Sequence, residues 1–168
     1  MSPSPNWSAP TSRPIITVLA SILLWPAAAV AQVTSSDAAA LALGDSALAA
    51  ITREDHRALA ALFIDGGTLI AMPAGGGQPR VTTKAQVLSA PMREDFVERG
   101  WNGEAVVSGA VATVRLPYDF YRGGEWSHCG VDVFTLVRTE AGWKIASLAY
   151  TVEQPPTCDQ HPDGPPGV

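Results

Sequence analysis

The sequence predicts an α+β domain, and three observations carry that reading. Alanine- and leucine-rich segments with helical spacing come first, between residues 36 and 64. Runs rich in β-branched and aromatic residues follow, at about 95–107, 110–121, 126–138 and 143–153. Ser108-Gly109, Gly123-Gly124 and Glu140-Ala141-Gly142 then divide those runs into successive hairpins. Helices first and an antiparallel meander after them is the α+β order.

The elements follow in chain order. Residues 1–14 carry one charge, Arg13, and precede the apolar run Ile15–Val30. Ala29-Val30-Ala31 places small residues where a signal peptidase reads them, so residues 1–31 are expected to be a signal peptide and Gln32 the mature start. The run is shorter than the ~20 residues of a spanning helix, and Pro26 interrupts its end. A periplasmic or secreted location follows. Without Arg13, ten basic side chains stand against sixteen acidic ones. That balance disfavours nucleic acid and anionic membranes as partners.

Ser36-Asp37 caps the first helical run, AAALALGDSALAAI. Thr52 with Asp55 reads as a capping box for a second helix, HRALAALFI, which Gly66-Gly67 would end. His56 falls in its first turn and reads as a solvated helix residue. Thr68–Met72 is a short strand, and Pro73–Arg80 a flexible loop whose Gly75-Gly76-Gly77 lacks the Gly-Lys-Ser/Thr ending of a phosphate cradle. Thr83 caps a third helical stretch that Pro91 interrupts. One domain is expected over 32–153, followed by a Pro-rich tail over 154–168.

In an oxidising compartment Cys129 and Cys158 are expected to form a disulfide that ties this tail to the sheet. Beyond Cys158 the tail reads as disordered, with His161 unpartnered. The three histidines have no metal-ligand spacing, so no metal is expected, and no cofactor motif is present. Of the aromatics, Trp101 and Trp143 read as packing, and Trp126 as a rim residue beside a turn.

The segment Val111–Thr151, VATVRLPYDFYRGGEWSHCGVDVFTLVRTEAGWKIASLAYT, is similar to exported bacterial proteins of the NTF2-like superfamily, including those labelled lumazine-binding. The superfamily groups nuclear transport factor 2, ketosteroid isomerase and SnoaL-type cyclases. Its Tyr-acid-Phe, Ser-His-Cys-Gly and Gly-Trp-Lys-Ile segments carry the likeness. The resemblance implies a cone-shaped fold, N-terminal helices on a strongly curved antiparallel sheet. It leaves activity open, because this fold hosts isomerases, cyclases, dehydratases and binders.

Hairpin geometry gives a register. A two-residue Gly123-Gly124 turn pairs Arg122 with Glu125 and Tyr121 with Trp126, and continued alternation sets Asp119 opposite His128 and Arg115 opposite Asp132. Pairing Arg138 with Trp143 likewise sets Phe134 opposite Ser147 and Asp132 opposite Ala149. One face then carries Arg115, Asp119, Tyr121, His128, Asp132, Phe134, Leu136 and Ile145, and is expected to line the cavity. Tyr118 and Phe120 share the other, more uniformly apolar face. A β-bulge would exchange the faces locally.

From this placement His128 and Asp132 are the catalytic candidates, and Arg115, Tyr118, Asp119, Tyr121 and Trp126 the ligand-binding candidates. The reading that follows is an exported binder of a small apolar or aromatic molecule. A cofactor-free isomerase, cyclase or lyase using Asp132 and His128 as an acid–base pair is the alternative, and a protein–protein module the third. An arginine opposite Asp132 would lower its pKa and weigh against catalysis. A sheet apolar on both faces also suggests a homodimer through the convex face.

Overall fold

A computed structural model describes residues 35–91 and 95–167. The expected signal peptide lies outside the described residues.

Helix α1 (Ser35–Thr52) is the first element. Its small side chains let it sit close on the sheet, with Ala40, Ala47, Leu48 and Ala50 buried. Helix α2 (His56–Leu62) follows, and here the expected cap is corrected. Asp55, not Thr52, is its N-cap and accepts from the Ala58 amide at 2.8 Å. Thr52 instead closes α1 and bonds both backbone groups of Glu98, at 2.9 and 3.1 Å. Strand β1 (Phe63–Pro73) starts where the second helix was expected to continue. β2 (Arg80–Thr83) was not foreseen. Helix α3 (Lys84–Leu88) carries the expected Thr83 cap, completed by Gln86 into a capping box. The single run expected over 95–107 is two strands, β3 (Phe96–Gly100) and β4 (Glu104–Ser108). The meander then runs through β5 (Val111–Arg122), β6 (Glu125–Thr139) and β7 (Gly142–Val152).

The strands form one unclosed sheet in the order β2-β1-β7-β6-β5-β3, with β4 also paired to β5. All pairings are antiparallel except β1 with β7. The core lies between α1, α2 and the inner face, where Val114, Phe134, Leu136 and Ile145 are fully buried. The α+β class and the helix-covered curved sheet are as expected.

The register is where expectation and structure part. Arg122 pairs with Glu125 and Tyr121 with Trp126, as the Gly-Gly turn requires. The next pair is Phe120 with His128, so Ser127 is an extra residue in β6. This β-bulge moves every later pairing by one: Asp119 faces Cys129, Leu116 faces Asp132, and Arg115 faces Val133. The expected pairs Asp119–His128 and Arg115–Asp132 are therefore absent. A second irregularity, with Ala146 as the extra residue, places Phe134 opposite Leu148 and Asp132 opposite Tyr150. The inner face keeps His128, Asp132, Phe134, Leu136 and Ile145 but takes Tyr118 and Phe120 from β5. Arg115, Asp119 and Tyr121 go to the outer face.

Burial along β5 alternates up to Leu116 and is then continuous from Tyr118 to Tyr121. The C-terminal segment covers the outer face there. The Cys129–Cys158 disulfide anchors it, and Cys129 and Glu153 exchange backbone hydrogen bonds at 3.1 and 2.9 Å. Contrary to the expected disorder, the His161 amide donates to Asp119 at 2.9 Å, Gln160 bonds the Tyr121 hydroxyl at 3.0 Å, and the His161 ring packs edge-on to Trp101. A buried carboxylate needs donors, and the tail supplies one of them. Arg99, directly across from Asp119, supplies the rest through two bonds of 3.1 and 2.5 Å.

This arrangement predicts that Asp119→Ala costs about 3 kcal/mol, because it leaves a largely buried guanidinium without its partner. Arg115→Ala, at an exposed position, should stay within about 0.5 kcal/mol of wild type. Urea unfolding of both variants reads this directly. Breaking the disulfide opens a connection of 29 residues and should cost roughly 3–4 kcal/mol in the same assay.

Candidate functional site

A cavity of about 690 Å³ opens where the inner face of the sheet runs beyond the helices. The inner face supplies Tyr118 and Phe120 from β5, His128 and Asp132 from β6, and Leu148 and Tyr150 from β7. Phe96 and Glu98 of β3 form one side wall, and Ile51, His56 and the Ala90-Pro91 turn close the helical side. His56 is thus a lining residue and not simply a solvated one. Arg80 and Arg122, both exposed, stand at the open side.

Of the seven residues expected at the site, Tyr118, His128 and Asp132 line the cavity, and the bulge brings Tyr118 to the face that alternation gives the other two. It directs Arg115, Asp119, Tyr121 and Trp126 to the outer face. Arg115 is exposed there, and Asp119 is engaged by Arg99 and the tail. Tyr121 lies under Gln160 with the Arg99 guanidinium over its ring, and Trp126 sits opposite Tyr121. Glu98, Phe120, Tyr150 and Arg80 were missed. Glu98 had a visible signal, since Phe96 and Glu98 share a face once the strand starts at Phe96.

Asp132 is 1% exposed, and its Oδ2 has no hydrogen-bond partner among the described residues. Burial holds its carboxyl well above the usual carboxylate range. Glu98 is also held well above that range, first by burial and then by Asp132 and Asp119 nearby. Two carboxyls thus share a low-dielectric pocket, where proton sharing is less costly than double ionisation. Glu98 is placed by Thr52, whose hydroxyl satisfies the backbone of this edge position.

The aromatic groups are ordered by contacts with one another. The His128 ring stacks on Phe120 at 4.6 Å and meets Tyr118 edge-on at 5.9 Å. Burial, and then Arg122, lower its pKa to about 4, so it is a neutral imidazole at neutral pH. Its Nδ1 lies 3.1 Å from the hydroxyl of Ser127, the bulge residue. Tyr118 donates its hydroxyl to the Thr151 carbonyl at 2.7 Å, and burial raises its pKa. That contact exists because Gly130 has no side chain: a Cβ there would collide with the Thr151 carbonyl and hydroxyl. Tyr150 accepts from Arg80 at 3.3 Å. Among the described residues, no group of three or more metal-ligating side chains comes together.

The arrangement can hold an apolar body against aromatic walls and offer it carboxyl groups and a neutral imidazole. Its electrostatics give a test. A carboxyl whose pKa is raised on folding binds its proton more tightly folded than unfolded. It therefore removes stability as pH rises from its unfolded value through its folded one. Asp132→Asn should flatten this loss and stabilise the protein by about 1–2 kcal/mol near pH 8, with little gain near pH 4. Thermal unfolding of both proteins across that range measures it.

No protein-family model and no curated protein matches the sequence. Solved structures do resemble the described fold. An NTF2-like protein with a cystatin-like fold from Novosphingobium aromaticivorans matches 66% of this chain and 77% of its own, with TM-score 0.55 and 18% identity. A ketosteroid isomerase-like protein from Erwinia carotovora atroseptica matches 73% of this chain and 99% of its own, with TM-score 0.54 and 22% identity. A candidate dehydratase of the NTF2-like family from Streptomyces avermitilis matches 70% and 95%, with TM-score 0.57 and 18% identity. At these identities the likeness is one of architecture, and this chain has the NTF2-like fold.

Proposed function

We propose that this protein is an exported binder of a small apolar or aromatic molecule, held in the cavity between sheet and helices. The observation that carries this reading is the cavity itself: aromatic and aliphatic walls converging on Asp132, a buried carboxyl with an unbonded oxygen. Export is supported by the Cys129–Cys158 disulfide together with the leader expected over residues 1–31. Tyr118, His128 and Asp132 are the ligand-facing residues in this reading, joined by Glu98 and Tyr150.

A second reading is favoured by one specific feature. Asp132 has no arginine across from it, so the group expected to disable it as a base is on the other side of the sheet. A carboxyl with a raised pKa and a neutral imidazole lining one cavity suit cofactor-free proton transfer next to a carbonyl. Asp132 would take the proton and His128 would orient or return it.

The outer face supports a further proposal, a homodimer through its centre. Val106, Val111 and Val133 are exposed there at 67%, 48% and 37%. Val106→Glu should then shift the sedimentation coefficient from dimer to monomer.

Binding is tested on the mature protein by native mass spectrometry after purification from its source, and by thermal shift with small aromatic ligands. A ligand at about 100 times its Kd should add roughly 2.7 kcal/mol of stability. Val152→Trp, at the strand end lining the cavity, should abolish that gain while the ligand-free protein unfolds as before. If no ligand shifts either protein, the cavity reading fails.

A further inference from the structure

The cavity carries an imbalance that no contact among the described residues resolves. Two carboxyl groups, Asp132 and Glu98, line it, and neither has a cationic partner among the described residues. The described arginines nearest the cavity make other contacts. Arg99 points through the outer face to Asp119, in a two-bond pair that the tail completes. Arg80 bonds the Tyr150 hydroxyl, and Arg122 lies exposed over the Phe96 ring at 5.3 Å. Both bonds that Glu98 makes to a described side chain use its backbone. The Asp132 Oδ2 is buried and unbonded. A buried acceptor in that condition costs stability unless something else in the site satisfies it.

Aromatic rings surround the pair. Tyr118, Phe120, Phe96 and Tyr150 all line the same space. Their faces carry negative charge density and attract a cation within about 6 Å. Carboxyl acceptors with aromatic walls are the complement of an ammonium group on an apolar body. A ligand anion would find Arg80 and Arg122 only at the exposed side of the cavity and would meet two acids at its buried wall. A neutral hydroxyl would satisfy one acceptor without the charge attraction that an ammonium gains from an ionised carboxyl.

We infer that the ligand is an organic cation, a primary or secondary amine on an aromatic or aliphatic skeleton, whose ammonium donates to Asp132 and Glu98. This rests on the proposal that the cavity binds a small molecule, and it names the chemical class. The free protein keeps the pair at least partly protonated, since burial and mutual repulsion hold both acids up. The cation ionises the pair on binding, so a proton leaves as the ligand enters. The charged and titratable groups facing the pair are Tyr118 and Arg122 on β5, His128 on β6, Tyr150 on β7, Arg80 on β2 and His56 on α2, with Asp119 behind β5. His128 stays neutral near pH 7, and the two arginines are solvent-exposed and screened.

The test is titration calorimetry with three matched probes on the full mature protein: naphthylmethylamine, naphthylmethanol and naphthoate. Runs in buffers of different ionisation enthalpy at about pH 7 count the protons exchanged. The amine should bind at least about tenfold tighter than the alcohol, the naphthoate weakest, and only the amine should release a proton. Its affinity should rise with pH by up to about tenfold per unit while the pair titrates. Asp132→Asn and Glu98→Gln should each remove the amine's advantage over the alcohol and its proton release, and an unchanged far-ultraviolet circular dichroism spectrum shows that the variants stay folded. If the alcohol or naphthoate matches the amine, or the advantage survives in both variants, the cation inference is overturned and the binding proposal stands. If no probe binds, both fall.

Discussion

One extra residue governs this structure. Ser127 is inserted into β6 three residues after the Gly123-Gly124 turn, and it sets which β5 residues share a face with His128 and Asp132. With it, Tyr118 and Phe120 join them inside, while Asp119 and Tyr121 go outside. Without it, a carboxylate would be opposite His128 and an arginine opposite Asp132, so the cavity would hold two ion pairs in place of an aromatic wall. The position is physically reasonable. A bulge increases local twist, and a two-residue hairpin with both glycines at positive φ is already strongly twisted.

The charge distribution follows from that insertion. Asp119 and Asp132 are both buried acids on adjacent strands, yet their situations are opposite. Asp119 has a bidentate arginine and a backbone amide, so it holds the outer layer together. Asp132 has a free oxygen facing a pocket. The tail satisfies the first, which is why it lies ordered on the sheet, and Cys129 secures it from the residue next to His128. One strand therefore joins the covalent anchor on one side to the cavity wall on the other.

The sequence made much of the architecture legible. Hairpin turns at Gly109, Gly123-Gly124 and Gly142, the helical spacing of residues 36–62 and the cysteine pair all appear where local chemistry placed them. Alternation also put His128, Asp132, Phe134, Leu136 and Ile145 on one face correctly. What it could not carry was the count along each strand. Ser127 is as compatible with regular pairing as with a bulge, so an error of one residue there inverted the whole of β5. Glu98 was missed because the run expected over 95–107 passed over Asn102-Gly103, a turn signal where Asn102 takes a positive φ and the chain breaks into β3 and β4. Thr52 read as a cap because Thr-x-x-Asp fits that motif, whereas its partner lies 46 residues away.

The crossing at Gly130 constrains how such a chain can diverge. The volume a side chain would take there is already filled by the end of β7, and the Tyr118 hydroxyl depends on that carbonyl. A chain that keeps both the crossing and the buried phenol must keep a residue with no side chain between them. A side chain at the glycine must displace Thr151, and with it the acceptor of the tyrosine twelve residues earlier in sequence. The glycine and the tyrosine offer a two-residue marker for recognising other chains that build the cavity in this way, even where overall identity has fallen too low to align them.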